Sequence, residues 1–333
     1  SERRPDGLLT WIGQVDTDLG PQSVVFTIGD GISFGRIPAK DGRAIQVETN
    51  AEGTWLLPAE RTDQFVEPYG PDVLLPPEPD AASRRLRAEQ ERQVREKAGE
   101  PVIDIVVVYT GNLLDLWGSQ AVMQARIAQL EAISNQAYAD SQANVRIRVV
   151  ASHLVDYPLR NDNGAVLNDI RTPGSKPIKI EVDRLREQYG ADMVALIRHF
   201  DRYRQTNCGI ASLLGYHGSA FNPADAFSVT GDRGFGREAC SEWTFTHELG
   251  HNMGATHDTE TEEGDYGAYL YAPSWPTSTA PRRASATCRT RASPPAWACP
   301  AVKRTRPTTP AVLASPRRSF RLSIRPGMKA RRA

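Results

Sequence analysis

The chain has 333 residues, enough for two domains of ordinary size, and its 40 basic and 40 acidic residues give a formal net charge of zero. No run of 18 or more apolar residues occurs, so we expect no membrane-spanning helix. The charge is unevenly distributed, because residues 273–333 contain 14 Lys and Arg residues but neither Asp nor Glu. An acidic body therefore precedes a strongly basic tail.

The first 70 residues have the pattern of short β-strands. Apolar and polar side chains alternate over four runs, which indicates strands buried on one face: Leu8–Val15, Ser23–Ile28, Ile32–Ile37 and Gly53–Leu57. Between two of the runs, Gly29-Asp30-Gly31 is typical of a hairpin turn. We predict a small antiparallel β-rich domain over residues 1–70, with four aromatic residues in its core: Trp11, Phe26, Phe34 and Trp55.

Residues 71–100 differ from the flanking regions in composition. Their prolines, Pro71, Pro76, Pro77 and Pro79, predict an extended spacer. The charged run from residue 83 to 100 can form a solvated helix but has almost no apolar face, so we interpret the whole segment as a linker. It contains Arg84-Arg85, a basic pair of the kind that proteases cut when it is exposed.

From residue 101 onward, strand and helix patterns alternate. Val102–Tyr109 is an apolar, β-branched run typical of a strand buried on both faces, and residues 119–142 have the spacing of a long amphipathic helix. The next three segments predict a strand, a helix and a strand: Val145–Val155, Ile180–Tyr189 and Ala191–Phe200. This alternation favours an α/β sandwich.

The residues suited to chemistry are concentrated in one motif, H-E-x-x-H-x-x-G-x-x-H-D. Residues four apart share one face of a helix, so His247 and His251 can point at a single metal ion. Glu248 can then reach a metal-bound water. Gly254 lets the chain leave the helix, because glycine adopts positive φ at little cost, and His257 can return as a third ligand. Three histidines and one open position are typical of catalytic rather than structural zinc.

This motif, with Asp258 after its third histidine, resembles that of the metzincin metalloendopeptidases, in their reprolysin/adamalysin-like branch. The sequence from Cys208 to the motif most resembles bacterial secreted members, including the peptidyl-Asp metalloendopeptidases, and the resemblance covers residues 101–272. It implies an α/β catalytic domain with a mixed twisted sheet, long helices and the zinc helix beneath. It also implies Zn2+ held by the three histidines, a glutamate general base at residue 248, and protein or peptide substrates.

The resemblance also assigns roles outside the helix. In similar proteins, the stretch equivalent to Gly209, Ile210 and Ala211 forms an edge strand above the zinc, to which a peptide substrate adds by main-chain hydrogen bonds. Gly254 and Asp258 are expected to shape the turn or to orient a ligand.

Five residues around the motif are expected to support it. Cys208 and Cys240 flank the segment between the edge strand and the zinc helix, and a disulfide between them would brace the site. Such a bond favours an oxidising, extracellular setting. Ser241 is a suitable N-cap for the helix, and Trp243 and Phe245 are expected to pack it against the sheet.

A β-rich unit joined to a protease by a charged linker is the arrangement of a zymogen. We therefore expect residues 1–70 to act as a propeptide that binds the catalytic domain. No cysteine precedes Cys208, so latency cannot use a propeptide thiolate as the fourth zinc ligand and would need a carboxylate or steric cover. We expect a secreted bacterial protein, and the start at Ser1 without a signal-peptide pattern fits either a chain trimmed of its leader or an incomplete sequence.

The chain departs from the family pattern after residue 272. Metzincins pass through a Ser/Thr-x-Met-x-Tyr turn beneath the zinc, but here the one methionine after Met253 is Met328, with no tyrosine two residues on. Residues 273–333 contain ten prolines and no hydrophobic periodicity, so we predict a disordered basic tail. We favour a frameshift as its origin over a genuine basic arm that binds an anionic surface or the acidic body.

These patterns together predict a secreted zinc-dependent endopeptidase. The alternative is a zinc-binding remnant or binding protein, catalytically impaired because the methionine turn is missing. A nucleic-acid partner is not expected, since the basic tail lacks a folded module and interleaved aromatics beyond Trp297 and Phe320.

Overall fold

The computed structural model describes most of the chain before residue 258, namely residues 1–18, 20–40, 44–58, 72–76, 78–96, 101–158, 161–201, 203–232 and 240–257. Three sequence predictions lie outside the described residues. They concern Asp258, the end of the catalytic domain at residue 272, and the basic tail.

The N-terminal region forms an antiparallel six-stranded sheet whose strands follow chain order. Its strands are β1 (Glu2–Arg3), β2 (Leu9–Thr17), β3 (Gly20–Gly29), β4 (Ile32–Pro38), β5 (Ala44–Asn50) and β6 (Gly53–Pro58). The predicted hairpin turn joins β3 to β4, with positive φ at Asp30 (38°) and Gly31 (77°). Positive φ at both central residues is the turn geometry that matches the twist of paired strands.

Of the four aromatic residues predicted in the core of this sheet, the two tryptophans are exposed, so the prediction is wrong for them. Phe34 is fully buried, but Trp11 and Trp55 are 42% and 45% exposed. Phe26 is partly buried and lies beside Trp11, with ring centroids 6.2 Å apart. Among the described residues, only one face of the sheet is covered, so an aromatic residue on the other face is exposed there.

The second sheet is mixed, in the order β7-β11-β12-β10-β8-β9. Its strands are β7 (Val73–Leu74), β8 (Val102–Thr110), β9 (Arg146–Val155), β10 (Met193–His199), β11 (Gly209–Ser212) and β12 (Phe227–Asp232). Strands β12, β10, β8 and β9 are neighbours in the sheet and run parallel to one another. Strand β11 is antiparallel to β12, and β7 is parallel to β11.

In the part of the chain that the structure describes, six α-helices accompany the sheets: α1 (Ala81–Glu96), α2 (Gly111–Trp117), α3 (Gln120–Asp140), α4 (Asn163–Arg171), α5 (Pro177–Tyr189) and α6 (Thr244–Asn252). Alternate residues of β8 pack on opposite sides of the sheet. Ile105 and Val107 belong to the apolar cluster of α3 and α6, whereas Val106 and Val108 contact the cluster of α4 and α5. The α/β sandwich prediction is therefore confirmed, with helices on both faces of a mixed sheet.

Helix α3 connects the two sheets, because it is buried on both sides. The Gln129 amide donates a hydrogen bond to the Val25 carbonyl of β3 at 3.1 Å. Arg126 forms a buried ion pair with Asp232 of β12, with N···O distances of 3.1 and 2.7 Å. The N-terminal sheet thus packs on the helix that also covers the second sheet.

The segment interpreted as a linker is folded where the structure describes it. In α1, the Gln90 side chain donates to the Phe221 carbonyl at 2.8 Å and accepts from the Phe221 N–H at 2.9 Å. The Arg87 guanidinium lies 4.1 Å from the centre of the Phe221 ring. Arg84 and Arg85 are exposed, as predicted, and they lie within this helix.

Within the described part of the chain, no helix combines the length and apolar character that a bilayer crossing requires.

Replacement of Phe34 by alanine should lower the free energy of unfolding by about 3–5 kcal/mol, because it opens a cavity where no water compensates the lost contacts. The ring is fully buried and packs edge-on against Trp117, with centroids 5.3 Å apart. Trp11→Ala is the control and should cost about 1 kcal/mol or less, since that side chain is largely at the surface. Urea denaturation followed by circular dichroism measures both; equal losses would contradict this account of the core.

Candidate metal centre

Helix α6 begins two residues later than the sequence predicted. Its first residue is Thr244, and Trp243 rather than Ser241 occupies the N-cap position. The Ser241 hydroxyl accepts a hydrogen bond from the Trp243 N–H at 3.2 Å, and the Ser241 carbonyl accepts from the Thr244 N–H at 3.1 Å. Ser241 thus stabilises the turn before the helix instead of capping the helix itself.

Buried polar contacts fasten α6 to its surroundings. The Asn252 amide, fully buried, donates to the carbonyls of Ser212 in β11 at 2.9 Å and Phe227 in β12 at 3.0 Å. On the other side, the Thr246 and Ser134 hydroxyls lie 2.7 Å apart. Phe245 is buried in the apolar cluster beneath the sheet, as predicted. The helix therefore has a fixed position against β11, β12 and α3.

The helix ends in a tight reversal that depends on Gly254. This residue has φ of 90°, a conformation that costs glycine little. The Gly254 N–H donates to the His251 carbonyl at 2.9 Å, and the Ala255 N–H donates to the Gly250 carbonyl at 3.0 Å. These two bonds satisfy carbonyls at the helix end in the pattern of a Schellman motif. The reversal brings His257 back beside the helix.

The three predicted histidines converge with a fourth group that the sequence did not single out. The Nε2 atom of His247 lies 3.0 Å from Nε2 of His251 and 3.2 Å from Nε2 of His257. The Asp72 carboxylate oxygen Oδ2 lies 3.0 Å from Nε2 of His257 and 3.3 Å from Nε2 of His247. All four donor atoms fall within 4.8 Å of one another.

This donor set fits a tetrahedral zinc ion. Zinc bonds of about 2.0–2.1 Å in a tetrahedron place neighbouring donor atoms about 3.3 Å apart. The measured separations from His247 and from Asp72 range from 3.0 to 3.3 Å. Three imidazoles and one carboxylate are also ligands that zinc accepts in proteins.

His251 is held in the tautomer that a metal ligand needs. Its Nδ1 atom lies 2.7 Å from the Ala255 carbonyl, which can only accept, so Nδ1 carries the proton and Nε2 keeps its lone pair. Burial, together with the neighbouring His247, lowers the pKa of His251 to about 3. The ring is therefore neutral at physiological pH.

Asp72 is held as a carboxylate. Burial by itself raises its pKa, but hydrogen bonds from His247 and His257 outweigh that effect and keep the pKa of Asp72 well below its usual range. The sequence signal for this residue is weak, since one carboxylate within a proline-rich segment does not differ locally from any other.

Glu248 is buried beside the histidines, and only 1% of it is exposed. Its Oε2 atom has no hydrogen-bond partner among the described residues. The pKa of Glu248 is raised well above its usual value, mainly by burial and to a smaller extent by the negative charge of Asp72. Gly209 leaves the space for this side chain, because a Cβ atom at residue 209 would lie 2.2 Å from the Glu248 Oε1 atom.

The predicted edge strand forms, but its outer edge is already paired. Gly209, Ile210 and Ala211 lie in β11, which is antiparallel to β12 on one side. On the other side β7 pairs with it, so that the Ala211 N–H donates to the Asp72 carbonyl at 3.0 Å and the Leu213 N–H donates to the Leu74 carbonyl at 3.1 Å.

The predicted disulfide is present. Cys208 precedes β11 directly and Cys240 lies just before the turn into α6, with Cα atoms 5.4 Å apart. The bond joins two segments 32 residues apart in sequence and therefore braces the strand and the helix that flank the metal centre.

Comparison with known proteins points to one family. The family model Reprolysin_5, described as metallo-peptidase family M12, matches residues 100–311 and thus runs past residue 272. A protein of Pseudomonas aeruginosa named peptidyl-Asp metalloendopeptidase is 35% identical over 195 residues, which cover 54% of this chain and 29% of that protein. A protein of the same name from Xanthomonas campestris pv. campestris is 26% identical over 247 residues, covering 72% of this chain and 52% of its own length.

The chain therefore spans less than two thirds of the length of either relative. Among solved structures, a chain from "Structure of a chaperone-substrate complex" aligns over 77% of this chain and 36% of its own length. Its identity is 14% and its TM-score 0.38, a level that defines no shared fold.

Replacement of His251 by alanine should reduce bound zinc from about one ion per chain to near zero after dialysis against a weak competing chelator, because the set loses its most buried ligand. His217→Ala is the matched control, since His217 contacts Glu78 outside the cluster. Elemental analysis of the dialysed proteins gives the metal content; stoichiometric zinc in His251→Ala would refute this ligand set.

Proposed function

The chain belongs to metallo-peptidase family M12, and from this premise we propose that it is a secreted zinc-dependent endopeptidase with His247, His251 and His257 as its metal ligands. The observation that carries the proposal is the convergence of three imidazole nitrogens, with the buried Glu248 next to His247 on the same helix. Both curated relatives bear the name peptidyl-Asp metalloendopeptidase, which supports peptide-bond hydrolysis as the reaction.

The protein's own residues divide the chemistry between binding and proton transfer. When bound, zinc supplies Lewis acidity that polarises the scissile carbonyl and acidifies a water molecule. Glu248 accepts the proton from the attacking water and then donates it to the leaving amine. Its free Oε2 atom, which contacts no hydrogen-bonding group among the described residues, supports this assignment.

The substrate peptide binds as an additional strand on the outer edge of β11. Main-chain groups of Gly209, Ile210 and Ala211 then provide the hydrogen bonds, and this mode of recognition tolerates many side chains. In this structure β7 occupies that edge, and its hydrogen bonds from the Ala211 and Leu213 N–H groups show that the edge can pair with a strand. The absence of a side chain at Gly209 keeps the general base close to this edge.

The remaining assignments concern the turn and the setting. Gly254 provides the reversal that returns His257 to the site, and Asp258 follows as the residue that stabilises the turn or orients a ligand. The Cys208–Cys240 disulfide supports secretion into an oxidising environment. The β-rich residues 1–70 serve as the propeptide, and residues 71–100 connect it to the catalytic domain of residues 101–272.

Glu248→Gln should lower kcat by about 10²–10⁴-fold, because glutamine cannot accept the proton from water. Zinc content should stay unchanged, since the three histidines remain. The assay is chelator-sensitive cleavage of denatured casein, with elemental analysis on the same samples. Wild-type activity should be measured before and after limited trypsin treatment, which removes any latency.

Full cleavage by Glu248→Gln would exclude the general-base assignment. If the wild-type chain retains zinc but cleaves nothing in either preparation, it is a zinc-binding remnant instead.

Gly209→Ala should lower kcat by about 10²-fold, because the new methyl group displaces the Glu248 carboxylate from its working position. Zinc content should not change. Gly111→Ala is the control, since a Cβ atom there meets nothing within 4 Å. Steady-state kinetics distinguish an effect on the general base, which lowers kcat, from an effect on substrate binding, which raises KM. A higher KM with unchanged kcat would show that residue 209 acts on substrate binding and not on the general base.

A further inference from the structure

One short segment occupies two places that the proposed mechanism reserves for other groups. The blocking segment, defined as Asp72–Leu74, contains strand β7 and pairs with the outer edge of β11. It therefore takes the main-chain donors to which a substrate strand would bind. The same segment places its carboxylate against the three histidines.

The geometry around Asp72 is that of a ligand rather than of a passing surface carboxylate. Its side chain is only 18% exposed, and Oδ2 approaches the Nε2 atoms of His257 and His247 to 3.0 and 3.3 Å. The Nε2 atoms of His247 and His251 are themselves 3.0 Å apart. Two imidazoles and a carboxylate oxygen at these separations can share one cation.

Contacts on either side of Asp72 hold the segment in place. The Asp72 and Leu74 carbonyls accept hydrogen bonds from the Ala211 and Leu213 N–H groups, and Leu74 packs against the apolar cluster of α4 and α5. Further along, the Glu78 carboxylate lies 2.8 Å from Nδ1 of His217, and α1 then docks on the Phe221 backbone. The carboxylate is therefore tethered close to the histidines.

We propose that Asp72 is a fourth protein ligand of the metal and that the blocking segment keeps the site closed. Resting on the proposed function, the inference names the group that blocks that same site. With three histidines and Asp72 bound, zinc has four protein ligands and no open position, as in structural zinc sites. Strand β7 excludes the substrate at the same time. A tethered carboxylate acts at a local concentration on the order of millimolar, so it competes well against water and free ligands.

The blocking segment also explains how the site can be closed without an N-terminal cysteine. Residues 1–207 contain no cysteine, so none of these residues can close the site with a thiolate. Asp72 lies before the start of the family match at residue 100, and it reaches the cluster through the parallel pairing of β7 with β11. Removal of this one segment frees both the coordination position and the strand edge.

The decisive experiment probes the coordination position without measuring catalysis. The full-length protein is loaded with Co2+, whose visible spectrum reports its ligands, and is titrated with acetohydroxamate, a small chelating ligand that needs an open position. Wild type should respond weakly. Asp72→Ala should bind acetohydroxamate with an apparent Kd at least about tenfold lower, since the tethered competitor is gone.

Two further variants keep the outcome interpretable. Asp72→Asn preserves the shape of the side chain while weakening it as a ligand, and it should respond as Asp72→Ala does. Leu75→Ala changes an exposed residue next to β7 and should behave like wild type. Circular dichroism confirms that each variant is folded.

Equal acetohydroxamate binding by wild type, Asp72→Ala and Asp72→Asn would overturn the inference, while the histidine site and the proposed function would stand. Failure of the wild-type chain to bind Co2+ would overturn both. A third outcome is that cobalt binds and the Asp72 variants bind acetohydroxamate more tightly than wild type, but no preparation cleaves casein. In that case the proposed function fails and the ligand assignment holds.

Discussion

The candidate metal centre depends on how helix α6 is attached to the sheet. Asn252 carries out this task with one buried amide group that donates to carbonyls of both β11 and β12. A buried donor without a partner is costly, so these bonds specify one position of the helix. With the helix in that position, the face that carries His247 and His251 lies under the strand edge, and the reversal at Gly254 returns His257 to the same point.

The cluster is a balance of burial and charge. The Nε2 atom of His247 lies 3.0 Å from Nε2 of His251 and 3.2 Å from Nε2 of His257, and imidazole nitrogens at such distances repel one another unless a proton or a metal ion lies between them. The Asp72 carboxylate and a divalent cation are therefore complementary partners for the same cavity. Glu248 is not one of the four clustered donor groups. It is buried next to Gly209, and its Oε2 atom has no hydrogen-bond partner among the described residues.

The strands and helices with clear local patterns could be predicted, and those that depend on burial could not. Strand β8 and helix α3 were predicted within a residue or two because their apolar spacing is strong. Strand β5 was missed because polar residues such as Gln46 and Glu48 are buried in it, which hides the alternation. The exposed position of Trp11 was missed for the opposite reason, since hydropathy does not tell which face of a sheet another layer covers.

The sequence by itself determined the local part of the site. Helical periodicity places His247, Glu248 and His251 together, and a glycine reversal brings back a third histidine, so short-range spacing is sufficient. Only the tertiary structure decided that Asp72 joins them, 185 residues from His257 along the chain. That contact arises from the pairing of β7 with β11 and from the docking of α1, and long-range pairings of this kind leave no periodic signal in either segment.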